Sequence, residues 1–224
     1  MFNLGLFYDE SKLKSNLQMA VIRMQLHVNK KNAGINVLKK EVAKLLENDA
    51  IEKARIKAES IIREDFYIEA YNLLEMYCDL GVQRIKYITS CSEVPVDLKQ
   101  AISSLIWSAD RMDIDELVEV KRQFSKKFGS SFMNLVESNP NDAMVSDRVM
   151  HKLSVIPPDF QLVTKYLCNI AREYNIDIVE TKLGLPEAGP IPTPSGFSIP
   201  MAPGYPLFIL YIYYFLPDNF KYNK

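Results

Sequence analysis

From Leu13 onward the apolar residues fall on two interleaved heptad tracks, a pattern that few folds can use. One track is Leu17, Met24, Leu38 and Leu45, broken by Lys31; the other is Val21, Val28, Ile35 and Val42. Steps alternating between four and three residues over this length predict one long amphipathic helix with a narrow apolar seam. Gly34 lies inside it and weakens it locally by about 1 kcal/mol relative to Ala. The helix should stop near "ENDA", where Asn48 and Asp49 suit a turn and an N-cap. A second stripe then begins: Ile51, Ala54, Ala58, Ile62, Phe66, Ala70, Leu73, Tyr77 and Leu80, with no proline before Pro95. The pattern predicts two helices of roughly 35 to 40 residues, each on the order of 55 Å long. So short a connection forces them antiparallel. A hairpin of this length far exceeds the helices of an average globular domain.

Shorter elements follow. "VPVDLKQAISSLIWSA" predicts a helix with Leu98, Ile102, Leu105 and Ile106 inward and Trp107 near its end. "DIDELVEVKRQFSKKFG" predicts another, capped by Asp113 or Asp115 and stopped by Gly129. "SSFMNLVESNPND" reads as a helical turn and a loop, and "VMHKLSV" as part of a short helix ended by Pro157-Pro158. "DFQLVTKYLCNIAREYNI" reads as a final amphipathic helix with Phe160, Val163, Leu167 and Ile170 on its inner face. No stretch carries a period-2 alternation, so the expected class is all-α: a long antiparallel hairpin with shorter helices packed against it.

The expected domain is residues 1–180, followed by a tail over 181–224. "GLPEAGPIPTPSGFSIPMAPGYP" holds seven prolines and four glycines and cannot form a packed core. The Phe, Ile, Tyr, Asn and Lys that dominate "LFILYIYYFLPDNFKYNK" all have A/T-rich codons. That ending reads as translated intron or a truncated gene model; a transcript encoding it in frame would sink the idea.

Several function classes fall away. With only 8 glycines, a Gly-rich nucleotide loop is not expected, and neither Walker A, G-x-S-x-G, H-E-x-x-H nor a paired-cysteine zinc spacing occurs. The three cysteines, Cys78, Cys91 and Cys168, are an odd number without a C-x-x-C pair, which favours a reducing compartment over a disulfide framework. Cys78 reads as a small buried hydrophobe. His27 reads as a surface or boundary residue and His151 as a packing or capping one, since no nucleophile motif accompanies either. Glu64, Asp65 and Glu69 invite a metalloenzyme reading, but helical metal sites of the ferritin type need Glu-x-x-His pairs that are missing. A solvated helix flank is the better reading. No catalytic residue, metal or cofactor is expected. The N-terminus has no basic region before its apolar patch and so is not a secretory signal, and no apolar run reaches the roughly 18 residues of a membrane span.

Charge supplies a further hint. Residues 1–63 carry 12 Lys/Arg against 7 Asp/Glu, a net of +5, while the remainder is net −6. Lys12, Lys14, Arg23, Lys30, Lys39 and Lys40 lie off the apolar tracks. With Phe2 and Phe7 as a small wedge, they are candidates for contact with an anionic membrane or an acidic partner. A BAR-like curvature module binding anionic lipid directly is the alternative function on this ground. Aromatic stacking platforms are not evident, so nucleic acid is not an expected partner.

Three segments carry a resemblance: "KARIKAESIIREDFYIEAYNLLEMYCDL", "SSLIWSADRMDIDELVEVKRQFSKKFG" and "DRVMHKLSVIPPDFQLVTKYLCNIAREYNI". In order and with compatible spacing over about residues 5–180, they resemble the increased-sodium-tolerance family, ESCRT-III-like regulators of the vacuolar-sorting AAA ATPase. The resemblance implies a non-enzymatic protein of multivesicular body sorting and membrane scission, cytoplasmic and peripheral on endosomal membrane. It implies binding to an ESCRT-III subunit of the charged multivesicular body protein type, on a surface that the final helix helps to form. Lys165, Tyr166, Asn169 and Tyr174 would serve there, with Arg63 on the hairpin flank. Members of the family also commonly end in motifs that dock on the MIT domain of the ATPase. The tail after Leu183 has no acidic amphipathic helix of that kind, and "GPIPTP" is a loose echo of the proline-containing type, so partner-subunit binding is the firmer expectation.

Overall fold

Asp9 starts the first helix. Its carboxylate accepts the Lys12 backbone N–H at 3.0 Å from an extended backbone, satisfying one of the donors that a helix start leaves unpaired. In the computed structural model, which describes residues 7–177 and Leu183, helix α1 then runs Glu10–Glu47 for 38 residues. It ends where Asp49 takes a left-handed conformation (φ 55°), with the Asp49 and Ala50 N–H groups donating to the Leu46 and Leu45 carbonyls. Helix α2 (Ile51–Gln83) follows at once, 33 residues long. Asp49 is therefore a turn residue and not the expected N-cap; Ala50 occupies that position without a side-chain bond.

The pairing across the hairpin is antiparallel. Lys57 donates to Glu41, Lys31 to Glu64 and Gln25 to Glu75, and Leu17 lies against Gly81, so numbers fall on one arm as they rise on the other. A Cβ at Gly81 would sit 3.1 Å from Leu17 Cδ1, which shows how closely the arms approach there. Lys31, which breaks the heptad track, is half-buried because it reaches across the seam to Glu64 at 2.7 Å and lies over the Tyr67 ring.

Helices α3 (Ile85–Ser90), α4 (Lys99–Ser108), α5 (Asp115–Ser138), α6 (Asp147–Lys152) and α7 (Phe160–Glu173) complete the fold, with a short 3₁₀ turn at Val96–Leu98. Among the described residues there is no strand. Gly129 (φ 82°, ψ 170°) breaks α5 internally and the chain resumes as helix beyond it, so the expected stop is a kink. Neither Asp113 nor Asp115 caps α5: Ile114 holds that position. All described residues belong to the first of two compact units, Met1–Glu187; the second, Ala188–Lys224, lies outside them.

Two apolar clusters divide the hairpin. The first joins Leu13, Leu17 and Met24 of α1 to Leu74 and Cys78 of α2, and covers them with Ile102 and Leu105 of α4 and Leu117 and Phe124 of α5. The second, toward the turn, joins Ile35, Val42 and Leu46 to Ala54, Ala58, Ile61 and Ile62, closed by Val163, Leu167 and Ile170 of α7. Each fully buried Leu or Ile contributes about 1.5–3 kcal/mol. Polar groups inside the first cluster are satisfied locally. Ser103 donates to the Ala143 carbonyl at 2.6 Å and Ser104 accepts the Ser146 N–H at 3.0 Å, which ties the loop before α6 to α4.

Candidate partner-binding face on the last helix

Helix α7 begins with Asp159, whose carboxylate accepts the Gln161 N–H at 3.1 Å. Val163, Leu167 and Ile170 turn inward as their spacing predicts. Phe160 does not: it is 54% exposed, because Arg55 of α2 lies over its ring at 4.5 Å and offers a cation–π contact at the surface. The opposite face carries the expected partner-binding residues. Lys165 and Asn169 are exposed, Tyr166 and Tyr174 half-buried. Tyr166 is also committed inward, its phenol donating to Asp65 of α2 at 2.8 Å. Burial and that bond to Asp65 both push the Tyr166 ionisation above its ordinary value of 10.0.

The carboxylates of "IIREDFYIEA" each take a donor from a different helix. Glu64 accepts from Lys31 of α1, Asp65 from Tyr166 of α7, and Glu69 from Lys152 of α6 at 2.9 Å. They fasten three elements onto α2, Glu64 and Glu69 through lysines and Asp65 through a neutral phenol, which is not how a paired-carboxylate site is arranged. Arg63, beside them, is exposed. Among the described residues no group of His, Cys, Asp and Glu is placed to hold a metal ion. His27 packs beside Tyr71 and His151 beside Phe66, each with ring centroids 5.6 Å apart. Burial pushes the Cys78 thiol up, as a small buried hydrophobe requires.

The basic residues of α1 separate into two sets. Lys12 pairs with Glu119 at 3.0 Å, Arg23 with Glu116 at 2.6 Å and Lys39 with Glu173 at 2.8 Å, so much of the positive charge is spent on holding α5 and α7. Lys14, Lys30 and Lys40 stay exposed, as does Phe7 at 79%. Phe2 lies outside the described residues. Lys30 and Lys31 border an open cleft of about 870 Å³ with His27, Tyr67, Tyr71 and Arg111. Sequence reasoning missed this cleft, and it missed Arg55, Asp65 and Glu173 as anchors of α7. All are long-range pairings with no local signature.

A hairpin with one helix closing its turn end and the others its open end is a specific arrangement. The family model described as "Regulator of Vps4 activity in the MVB pathway" matches residues 14–177, from the first turns of α1 to just past α7. The chain belongs to the Ist1 family. An IST1-like protein of Dictyostelium discoideum is 37% identical over 178 residues, which are 79% of this chain and 48% of that protein. The vacuolar protein sorting-associated protein IST1 of Saccharomyces cerevisiae is 30% identical over 174 residues, 74% of this chain and 58% of its own length. The chain thus spans about half the length of the curated relatives it matches. Among solved structures, the crystal structure of the S. cerevisiae Ist1 N-terminal domain in complex with the Did2 MIM motif matches with a TM-score of 0.71 at 29% identity. The match covers 76% of this chain and 95% of that one. Family membership accounts for the all-helical architecture and for the absence of strands among the described residues. No described helix is long and apolar enough to cross a membrane.

Proposed function

We propose that this chain is a non-enzymatic, ESCRT-III-associated protein that binds the C-terminal helix of another ESCRT-III subunit. Through that contact it regulates the vacuolar-sorting AAA ATPase in multivesicular body sorting, membrane scission and protein transport. It works in the cytoplasm, peripherally on endosomal membrane. One observation carries the reading: the chain shares its fold, at 29% identity, with an Ist1 domain solved with a Did2 MIM motif. The solvent face of α7, with Lys165, Asn169 and the half-buried Tyr166 and Tyr174, supplies polar and aromatic groups at helical spacing for such a ligand. An anionic membrane is a secondary contact through Lys14, Lys30 and Lys40, at ~1 kcal/mol for each residue near a charged surface. Contact with the MIT domain of the ATPase belongs to the same reading, since the family model that the chain matches is described as a regulator of Vps4 activity.

The test is direct. The full chain is titrated into a fluorescent peptide copying the C-terminal helix of an ESCRT-III subunit of the charged multivesicular body type. Saturable 1:1 binding is the expected result. No binding to any such peptide, combined with strong sedimentation on anionic liposomes and a dimer in solution, would replace this function with the curvature-module reading.

A further inference from the structure

Leu183 lies beyond the residues that the family model matches, yet it is wholly buried in the cluster formed by α2 and α7. Its cluster includes Ala54 and Ala58 of α2 and Val163 and Leu167 of α7. Two alanines four residues apart share one helix face, and their small side chains leave room there for a leucine. The main chain of Leu183 is held as well. Its carbonyl accepts from Arg55 Nη2 at 2.8 Å and from Thr164 Oγ1 at 3.2 Å. Thr164 is fully buried and the Arg55 side chain only 14% exposed, and the two touch each other at 3.4 Å. Arg55 is steadied from outside by Glu52 at 3.6 Å and by the Phe160 ring.

We propose that the recess between α2 and α7 is a peptide-binding site for a leucine-bearing segment, and that this chain fills it in cis with Leu183. The recognition chemistry has two parts: a main-chain carbonyl is read by fixed donors, and one apolar side chain is read by a pocket. One carbonyl bridges a donor on α2 to a donor on α7, so filling the site also fastens α7 to the hairpin. Emptying it strands a buried hydroxyl and a guanidinium without their acceptor, which is costly in a low-dielectric setting. The site is therefore built to stay occupied, either by Leu183 or by a leucine-bearing segment that displaces it. The inference goes beyond the proposed function and does not rest on it.

The test uses the full chain carrying Leu183→Asp, with a fluorescein-labelled peptide of residues 178–188 ("IVETKLGLPEA") as probe. Amide hydrogen exchange in α7 should rise at least tenfold, while α4, which sits in the other cluster, keeps its protection. The peptide should bind this variant and restore protection to α7. It should bind the unsubstituted chain at least tenfold more weakly, and a peptide with Asp in place of the leucine should not bind the variant. Unchanged exchange in α7, or a peptide bound by neither chain, would overturn the proposal. Should L183D lose protection in α4 too, Leu183→Ala carries the same two readouts with the same outcomes. Loss of ESCRT-III peptide binding with the leucine-peptide results intact would count against the proposed function alone.

Discussion

Arg23 on α1 grips Glu116 on α5 through two hydrogen bonds of 2.6 Å, Nε to Oε2 and Nη2 to Oε1. The carboxylate is 6% exposed, so the guanidinium is its main solvent. The Arg23 hydrogen bond, the largest influence, holds the Glu116 carboxyl below its ordinary 4.5. Glu119, one turn on, is also held low: burial pushes it up, and hydrogen bonds from Gln123 and Lys12 outweigh that. A carboxylate whose folded value is depressed stabilises the fold fully above its unfolded value and loses that contribution as pH falls through the folded one. Docking of α5 should therefore be intact above about pH 4.5 and weaken in more acid solution. Urea denaturation of the chain and of Glu116→Gln at pH 7 and pH 3.5 checks this. The gap between them should narrow in acid, and a gap independent of pH would contradict the assignment.

Two glycines predict opposite signs. At Gly129 a side chain would meet nothing within 4 Å, but the backbone sits at φ 82°, ψ 170°, a region that L-residues rarely enter. Gly129→Ala should cost on the order of 1–3 kcal/mol through backbone strain alone. Gly34 lies in mid-α1 with ordinary helical geometry and open space, so Gly34→Ala should add roughly 0.5–1 kcal/mol. Denaturation midpoints of the two variants, moving in opposite directions, are the check.

The two apolar clusters should respond to truncation alike. Leu105→Ala in the first and Ile62→Ala in the second each remove a fully buried side chain, and each should lose about 2–5 kcal/mol. Ile56 sits on α2 only a turn and a half before Ile62 but is 68% exposed. Ile56→Ala should therefore change stability by no more than about 0.5 kcal/mol. Chemical denaturation separates these outcomes, and a large loss at Ile56 would place it in an interface.

The hairpin was legible in the sequence because heptad spacing is a local property, and Leu17, Met24, Ile35 and Val42 are buried where the tracks put them. On α2 the predicted stripe was too narrow. Ile61, Tyr71 and Leu74 are buried as well, since α2 is covered by α4, α6 and α7 in addition to α1. One helical period cannot report how many neighbours a helix has. The buried serines of α4 were opaque for another reason: Ser103, Ser104 and Ser108 enter the core only because their hydroxyls find backbone carbonyls. Phe160 failed in the other direction, held at the surface by Arg55 from 105 residues upstream. The candidate face was legible as the off-stripe side of α7. Its attachment through Asp65, Lys39 and Arg55 was not, because those contacts join residues about a hundred positions apart.

Lys165 and Tyr166 are neighbours on α7 with separable roles. The Lys165 side chain is exposed, so Lys165→Glu should leave stability within about 0.5 kcal/mol. If α7 takes up the ESCRT-III helix, the same reversal should weaken that binding at least tenfold, or about 1.4 kcal/mol. The Tyr166 phenol is bound to Asp65, so Tyr166→Phe removes a hydrogen bond and keeps the ring. It should lower stability by about 1 kcal/mol while changing partner affinity less than about twofold. Fluorescence anisotropy with the partner peptide, run beside denaturation of the same two variants, reads both effects. A Tyr166→Phe variant of full stability would detach α7 from Asp65, and a Lys165→Glu variant of full affinity would move the partner to another face.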